Sequence, residues 1–159
     1  MPKWGYSTTP FEPEKTAKAS GRELRISYKS AREICKTIKG MKLNQAKKLL
    51  QQVITKRKPI SFTRHKKKVA HRHGLQKGCT GRYPTKAAKK ILKVIENAEA
   101  NAEYKGLDTE KLHITHASAY PGTKLKRYTE RAFGRSSPHF ETLCHIELIL
   151  KQKEKTGEI

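Results

Sequence analysis

Hydrophobic residues recur along this chain with two different spacings, which divide it into extended and helical segments. In the stretch RELRISYK, residues 22–29, Leu24, Ile26 and Tyr28 alternate with polar side chains, a pattern that predicts a half-buried strand. The segments LHITHASAY and LCHIELILK, at 112–120 and 143–151, alternate apolar with polar or small residues in the same way. They predict two further strands near the end of the chain.

Three other segments place apolar residues every three or four positions, as a helix with one buried face does. The first follows Ser30, whose spacing from Glu33 predicts a capping box, and it ends near Gly40. The second begins near residue 42 and ends by residue 59, and the third extends over about 85–106. The order of elements is therefore strand, three helices and two strands.

Segregated helices and strands predict an α+β fold, with a small antiparallel sheet and three helices packed on one face. The length suits a single domain spanning residues 1–159. Residues 1–20 contain three prolines and are predicted to form an irregular N-terminal arm. Residues 57–84 have no sustained period and predict a long basic loop.

The last two strands predict a long protruding β-hairpin over about 112–150, with a basic tip near 121–139. At about 3.3 Å per residue, such a ribbon reaches on the order of 50 Å from its base. A two-stranded ribbon is only marginally stable by itself in water, so we expect a partner surface to complete its ordering.

The charge of the chain indicates a polyanionic partner. Lys and Arg number 36 against 14 Asp and Glu, a formal net charge of +22. Between Glu33 and Glu96 there is no carboxylate to balance 19 Lys and Arg residues, whereas an ordinary solvated surface mixes both signs. Nucleic acid is the partner that this imbalance favours.

The hairpin tip combines cations, two aromatic rings and glycine around a single acid, Glu130. Guanidinium groups bind phosphates and stack on bases, aromatic rings stack on bases, and glycine permits close backbone approach. The candidate RNA-binding residues of the hairpin are Lys124, Lys126, Arg127, Tyr128, Arg131, Phe133, Gly134 and Arg135. Those of the basic loop are Arg57, Arg64, Lys66, Lys67, Lys68, His71, Arg72, Lys77 and Arg82.

Other chemistry finds little support in the sequence. The glycines of the basic loop are not followed by the Gly-Lys-Ser/Thr of a phosphate loop, and the spacing of His71, His73 and Cys79 matches no familiar zinc module. We therefore predict no enzyme activity, no metal and no cofactor. Three dispersed cysteines favour a reducing compartment, and with no apolar run of about 20 residues we expect a soluble intracellular protein without membrane contact.

A composite pattern in the hairpin resembles a known family. Lys126, the run RAFGR at 131–135 and HIELIL at 145–150 have the spacing of the C-terminal signature of the universal large-subunit ribosomal protein family numbered twenty-two, which is numbered seventeen in eukaryotes. RISYKSAREICKTIKGM and ENAEANAEYKGLD extend the resemblance over nearly the whole chain. The basic loop with GRYPTKAA is similar to the archaeal and eukaryotic branch, and the archaeal form is the better match.

The resemblance implies a non-catalytic constituent of the large ribosomal subunit in the cytoplasm. In such proteins the domain binds large-subunit (23S-type) rRNA and neighbouring ribosomal proteins, supports assembly, and extends its hairpin along the nascent polypeptide exit tunnel. Tyr128 falls where the family varies, so base stacking, packing across the hairpin and a tunnel-facing position all remain open. The alternative is an architectural DNA-binding protein with a basic β-arm, but such arms usually work in pairs and no homo-oligomer is expected here.

Overall fold

The computed structural model describes residues 5–8, 12–75 and 78–152. In chain order the elements are β1 (Thr16–Leu24), α1 (Tyr28–Ile38), α2 (Leu43–Ile54), β2 (Ile60–Ser61), β3 (Gly81–Arg82), α3 (Thr85–Tyr104), β4 (Leu112–Leu125), β5 (Tyr128–Glu130), β6 (Ser136–Pro138) and β7 (Glu141–Gln152). A 3₁₀ turn, Thr109–Lys111, leads into β4.

The central strand β7 organises the core. It pairs antiparallel with β1 on one side and β4 on the other, and its alternate residues Cys144, Ile146, Leu148 and Leu150 are fully buried. Helix α1 packs mainly on β4, α3 mainly on β1, and α2 on α3. The predicted α+β class, with an antiparallel sheet and three helices, is confirmed.

Strand β1 is built from small residues because α3 lies close to it. Ala17 and Ala19 face the core, and a Cβ atom added at Gly21 would come within 2.8 Å of a methyl carbon of Val94 on α3. Helix α3 likewise contains buried alanines, at positions 87, 88, 98 and 102. Small side chains on both partners allow close contact between helix and sheet, although Ala and Gly are poor strand formers.

The first strand and helix differ from their predicted bounds. The strand expected over residues 22–29 lies earlier, and residues 16–20, predicted to be irregular, are part of β1. Glu23 turns the chain with φ of +49°, so Ile26 is buried at the entry to α1 rather than in an extended segment. Ser30 lies inside α1, whose N-cap is Ser27, so the predicted capping box is wrong.

The other face of the sheet contacts the N-terminal residues. The backbone N–H and the hydroxyl of Ser7 donate to Glu147 Oε2 at 3.0 and 2.7 Å, and Lys18 lies 5.4 Å from the centre of the Tyr6 ring. His116 lies beside this contact, and burial, together with the charge of Lys39, lowers its pKa. Residues 5–8 are thus irregular in backbone but tied to the sheet.

Strands β4 and β7 continue beyond the helices as a two-stranded ribbon. Their register extends from Leu112 opposite Gln152 to Leu125 opposite Glu141, with an irregularity between Pro121 and Lys124. The pair β5 and β6 prolongs the ribbon, and every residue from 123 to 136 is exposed. The fold therefore presents the basic tip to its surroundings.

Candidate nucleic-acid interface

The tip of the ribbon is a tight turn that presents an aromatic ring. The Arg131 N–H donates to the Arg135 carbonyl at 2.8 Å, and Phe133 and Gly134 both take left-handed φ angles, +57° and +65°. A left-handed conformation is unfavourable for a phenylalanine by about 1–2 kcal/mol. The Phe133 side chain is 96% exposed, so within the described chain no burial compensates for this conformation.

Tyr128 packs across the hairpin in the free chain. Its ring meets that of Phe140 edge to face, with the ring centres 5.8 Å apart, while 62% of Tyr128 remains exposed. The backbone bond from His139 N to Arg127 O, 2.6 Å, closes the ribbon at this level. Of the three positions left open by the sequence, packing across the hairpin is the one observed, and enough of the ring remains for a further contact.

The cations of the ribbon are exposed, and several have local partners. Arg131 Nε donates to Ser137 Oγ at 3.1 Å, Arg135 Nε donates to the Ala132 carbonyl at 3.4 Å, and Arg127 lies 3.9 Å from Glu141. These contacts use only part of each guanidinium, which has five N–H donors. All three arginines are exposed residues, so a phosphate can reach them.

The base of the ribbon is fastened to the end of β1. Arg25 donates to both carboxylate oxygens of Glu141, at 2.7 and 2.9 Å, and these hydrogen bonds hold the pKa of Glu141 below its ordinary value. The His145 ring lies 3.3 Å from Glu23 on the neighbouring strand. Gly122 makes room for this ring, since a Cβ there would lie 2.7 Å from His145 Nε2.

The basic loop is fastened by one buried carboxylate. Glu33, on α1 and 2% exposed, accepts hydrogen bonds from Arg64 N at 2.9 Å, Thr63 N at 3.2 Å, Thr63 Oγ1 at 3.1 Å and His65 N at 3.4 Å. Burial alone would raise the pKa of Glu33, but the donors from Arg64 and Thr63 outweigh it and leave the pKa lowered. The last acid before the acid-free segment thus anchors that segment.

Further contacts give the loop a defined course. Strands β2 and β3 pair, His71 bridges to Thr80, and the Arg82 guanidinium lies 5.9 Å from the centre of the Phe62 ring. Eight of the nine predicted loop residues are described, and all eight are exposed: Arg57, Arg64, Lys66, Lys67, Lys68, His71, Arg72 and Arg82. Lys77 lies outside the described residues.

Within the described ranges, the potential metal ligands stay apart and two of the three cysteines are buried. Within the described ranges no three His, Cys, Asp or Glu side chains come together as metal ligands. Burial raises the pKa of Cys35 to about 12 and that of Cys144 to about 11, which keeps both thiols protonated and unreactive. Among the described residues, no helix combines the length and apolar character needed to cross a bilayer.

Sequence reasoning missed three cations and two acids that shape the surface. Arg25 and Lys29 lie where the end of β1 and the start of α1 differ from their predicted bounds. Lys86 lies in the first turn of α3, whose neighbours in space the sequence does not indicate. Glu33 was assigned to a helix cap, and the pairing of Glu141 with Arg25 joins residues 116 positions apart. The lack of acids between Glu33 and Glu96 is the sequence feature that could have indicated a role for Glu33 in binding the basic loop.

An α+β domain with an exposed cationic ribbon and an anchored, acid-free loop is typical of a polyanion-binding protein. The family model described as ribosomal protein L22p/L17e matches residues 19–151. Large ribosomal subunit protein uL22 of Methanocaldococcus jannaschii is 57% identical over 140 residues, covering 88% of this chain and 90% of that protein. The proteins of the same name from Archaeoglobus fulgidus and Methanopyrus kandleri are 53% and 52% identical, covering 94% and 96% of this chain and 96% and 100% of their own lengths. The chain belongs to the ribosomal protein L22p/L17e family.

Proposed function

We propose that this chain is a structural constituent of the large ribosomal subunit in the cytoplasm that binds large-subunit rRNA. Family membership over residues 19–151 supports the assignment, and its close relatives carry the name of a large-subunit protein. The observation that carries the RNA-binding role is the ribbon itself: residues 123–136 are exposed throughout and contain five cations against one acid. A ribbon with so little contact to its own domain suits a binding partner that surrounds it.

In this proposal the ribbon and the basic loop bind different parts of the rRNA. The ribbon enters folded RNA, with Lys124, Lys126, Arg127, Arg131 and Arg135 on phosphates, Phe133 and Tyr128 on bases, and Gly134 admitting close approach. The basic loop binds the RNA surface beside the globular part. Stabilising both RNA segments supports assembly of the subunit, neighbouring ribosomal proteins complete the surroundings, and the ribbon lines the exit tunnel beside the nascent polypeptide.

The test compares the full chain with the variant Arg127→Gln/Arg131→Gln/Arg135→Gln in binding to a protein-free large-subunit rRNA transcript. Each lost phosphate contact lowers the slope of log K against log salt by about 0.7–0.9, so we expect a slope smaller by about 2 to 3. The far-ultraviolet helical signal should not change, because the three arginines lie outside the helices.

Two results would contradict the proposal. A wild-type affinity that hardly depends on salt would remove the phosphate contacts on which it rests. Purification as a stable dimer that prefers duplex DNA to rRNA would instead support an architectural DNA-binding role, since we expect the free chain to be monomeric.

A further inference from the structure

A basic cleft at the start of α1 joins the ribbon to the basic loop. On one side of the first turn, a space of about 810 Å³ is bounded by the end of β1, the start of α3 and the base of the ribbon. On the other side, a space of about 390 Å³ is bounded by α1 and the basic loop. Ser27 and Lys29 line both spaces, so the two form one surface, which we call the α1 cleft.

The α1 cleft is lined by cations from five separate parts of the chain. Lys29 comes from α1, Lys86 from α3 and Lys124 from β4, and the remaining ones come from the β1 end and the basic loop. The seven cations are Arg25, Lys29, Arg64, Lys67, Arg82, Lys86 and Lys124. Glu141 is the one carboxylate among the described lining residues, and Arg25 already binds both of its oxygens. The cleft therefore has a large excess of positive charge.

Both walls of the α1 cleft are held in place before any ligand arrives. Glu33 fixes residues 63–65 of the loop wall, and the Tyr28 ring meets the His65 ring edge to face with the ring centres 6.1 Å apart. The pair of Arg25 and Glu141 fixes the ribbon wall. A cleft that keeps its shape loses little conformational entropy when it binds.

The positive charges at the two helix N-termini that border the α1 cleft destabilise those helices. Lys29 and Lys86 occupy the first turns of α1 and α3, neither first turn contains an acid, and neither N-cap side chain makes a capping hydrogen bond within the described chain. Cations at a helix N-terminus are unfavourable, because the free N–H groups there already carry partial positive charge. A bound anion, in contrast, is attracted both by the lysines and by the free N–H groups of the helix.

A buried histidine nitrogen lies behind the loop wall of the α1 cleft. The Nε2 atom of His65, which lines the smaller space, is buried and has no hydrogen-bond partner among the described residues. Because this nitrogen has almost no accessible surface, the donors that a phosphate oxygen can accept from are the lining cations and the free amides at the helix N-termini.

From these observations we propose that the α1 cleft is an RNA backbone site, in which Lys29 and Lys86 bind phosphates of a strand that passes from the base of the ribbon to the basic loop. The inference deepens the proposed function and rests on it. It adds Arg25, Lys29 and Lys86 to the RNA-facing residues, and it makes the ribbon and the loop parts of one continuous surface.

The test uses the full chain and the variant Lys29→Gln/Lys86→Gln, bound to the same protein-free rRNA transcript over a range of salt. We expect the salt slope to fall by about 1.4 to 1.8, the loss of two phosphate contacts. The Tm of the free variant should equal or exceed that of the wild type, because the removed charges oppose the helix dipoles. Lys29→Arg/Lys86→Arg should keep the wild-type slope.

The matched control is Lys48→Gln/Lys93→Gln, which removes the same charge from exposed positions on α2 and α3 outside the α1 cleft. It should leave the slope within about 0.3 of the wild type, since it removes no phosphate contact. An unchanged slope in the cleft variant, an equal loss in the control, or a lowered Tm of the cleft variant would overturn the inference while the wild type still binds. Failure of the wild type to bind the transcript would instead contradict the proposed function.

Discussion

Glu33 fastens the basic loop to α1, and the variant Glu33→Gln is expected to release the loop without unfolding the domain. The carboxylate is 2% exposed and accepts from Arg64 N, Thr63 N and Thr63 Oγ1 at 2.9 to 3.2 Å, with His65 N more distant at 3.4 Å. Glutamine keeps the shape but loses the charge, and its amide group turns N–H donors toward other N–H donors.

The size of the effect follows from these contacts. Hydrogen bonds to a charged group contribute about 1.5–3 kcal/mol each, and three of them share one carboxylate, so the sum of separate bonds overstates the loss. Thr63 and Arg64 are exposed, so water can satisfy their amides once the loop opens. We expect opening of the loop to become easier by about 2–4 kcal/mol, roughly 30- to 800-fold, which is less than full loss of the bonds.

Hydrogen exchange measured residue by residue is the assay. In Glu33→Gln the amides of residues 63–65 should exchange roughly 30- to 800-fold faster, while the amides of α3 keep their protection. Glu96→Gln, at an exposed position on α3, is the matched control and should change neither set. Equal exchange of residues 63–65 in the variant and the wild type would refute the anchoring role of Glu33.

Three further predictions concern other parts of the chain. Because the pKa of Glu33 is lowered in the folded protein, its contribution to loop stability is complete above the ordinary glutamate pKa of about 4.3 and is lost as pH falls through the lower folded value. The amide chemical shifts of residues 63–65 should therefore report loop opening only in acid. Opening of the loop already at pH 6 would contradict this prediction. At pH 8 a thiol reagent should modify the exposed Cys79 alone and reach buried Cys35 and Cys144 only after denaturation; rapid reaction of all three in the native protein would be inconsistent with their raised pKa values. Phe133→Asn should preserve the tip turn, because Asn tolerates a left-handed φ, yet weaken rRNA binding by about 1–3 kcal/mol through loss of stacking, and an unchanged affinity in a filter-binding assay would exclude a stacked ring.

The elements that sequence predicted well are those with strong periodic patterns. The α3 stripe buries one face of that helix, and the alternate residues Ile146, Leu148 and Leu150 of β7 enter the core as their pattern predicts, although Glu147 and Ile149 on the opposite face are buried too. Strand β1 was displaced because its core-facing residues are Ala17, Ala19 and Gly21, which carry little hydrophobic signal, and their small size is explained only by the proximity of α3. Nothing local in the sequence indicates that contact.

In the candidate interface, too, some features were predictable from the sequence and others depend on long-range contacts. Exposure of the ribbon and of the described loop cations was predictable from charge, whereas the α1 cleft depends on Lys29, Lys86 and Lys124, which meet only when α1, α3 and β4 are assembled. The spacing of Ser30 and Glu33 suggested a local capping role for the carboxylate, but loop amides some 30 residues away bind it instead. Long-range pairing of this kind is invisible to a reading of local pattern.

We propose above that the chain is a constituent of the large ribosomal subunit and that its ribbon holds it there. Sedimentation of the tagged full chain in native lysate, at low and then at high salt, tests it most directly, with Arg127→Gln/Arg131→Gln/Arg135→Gln run in parallel. Although binding of the free chain to RNA weakens with salt, folded RNA that encloses the ribbon prevents its release from an assembled subunit. We therefore expect the wild type to comigrate with large subunits at both salt concentrations and the variant to be depleted from them. Release of the wild type at high salt into free or DNA-bound fractions would contradict its assignment to the large subunit.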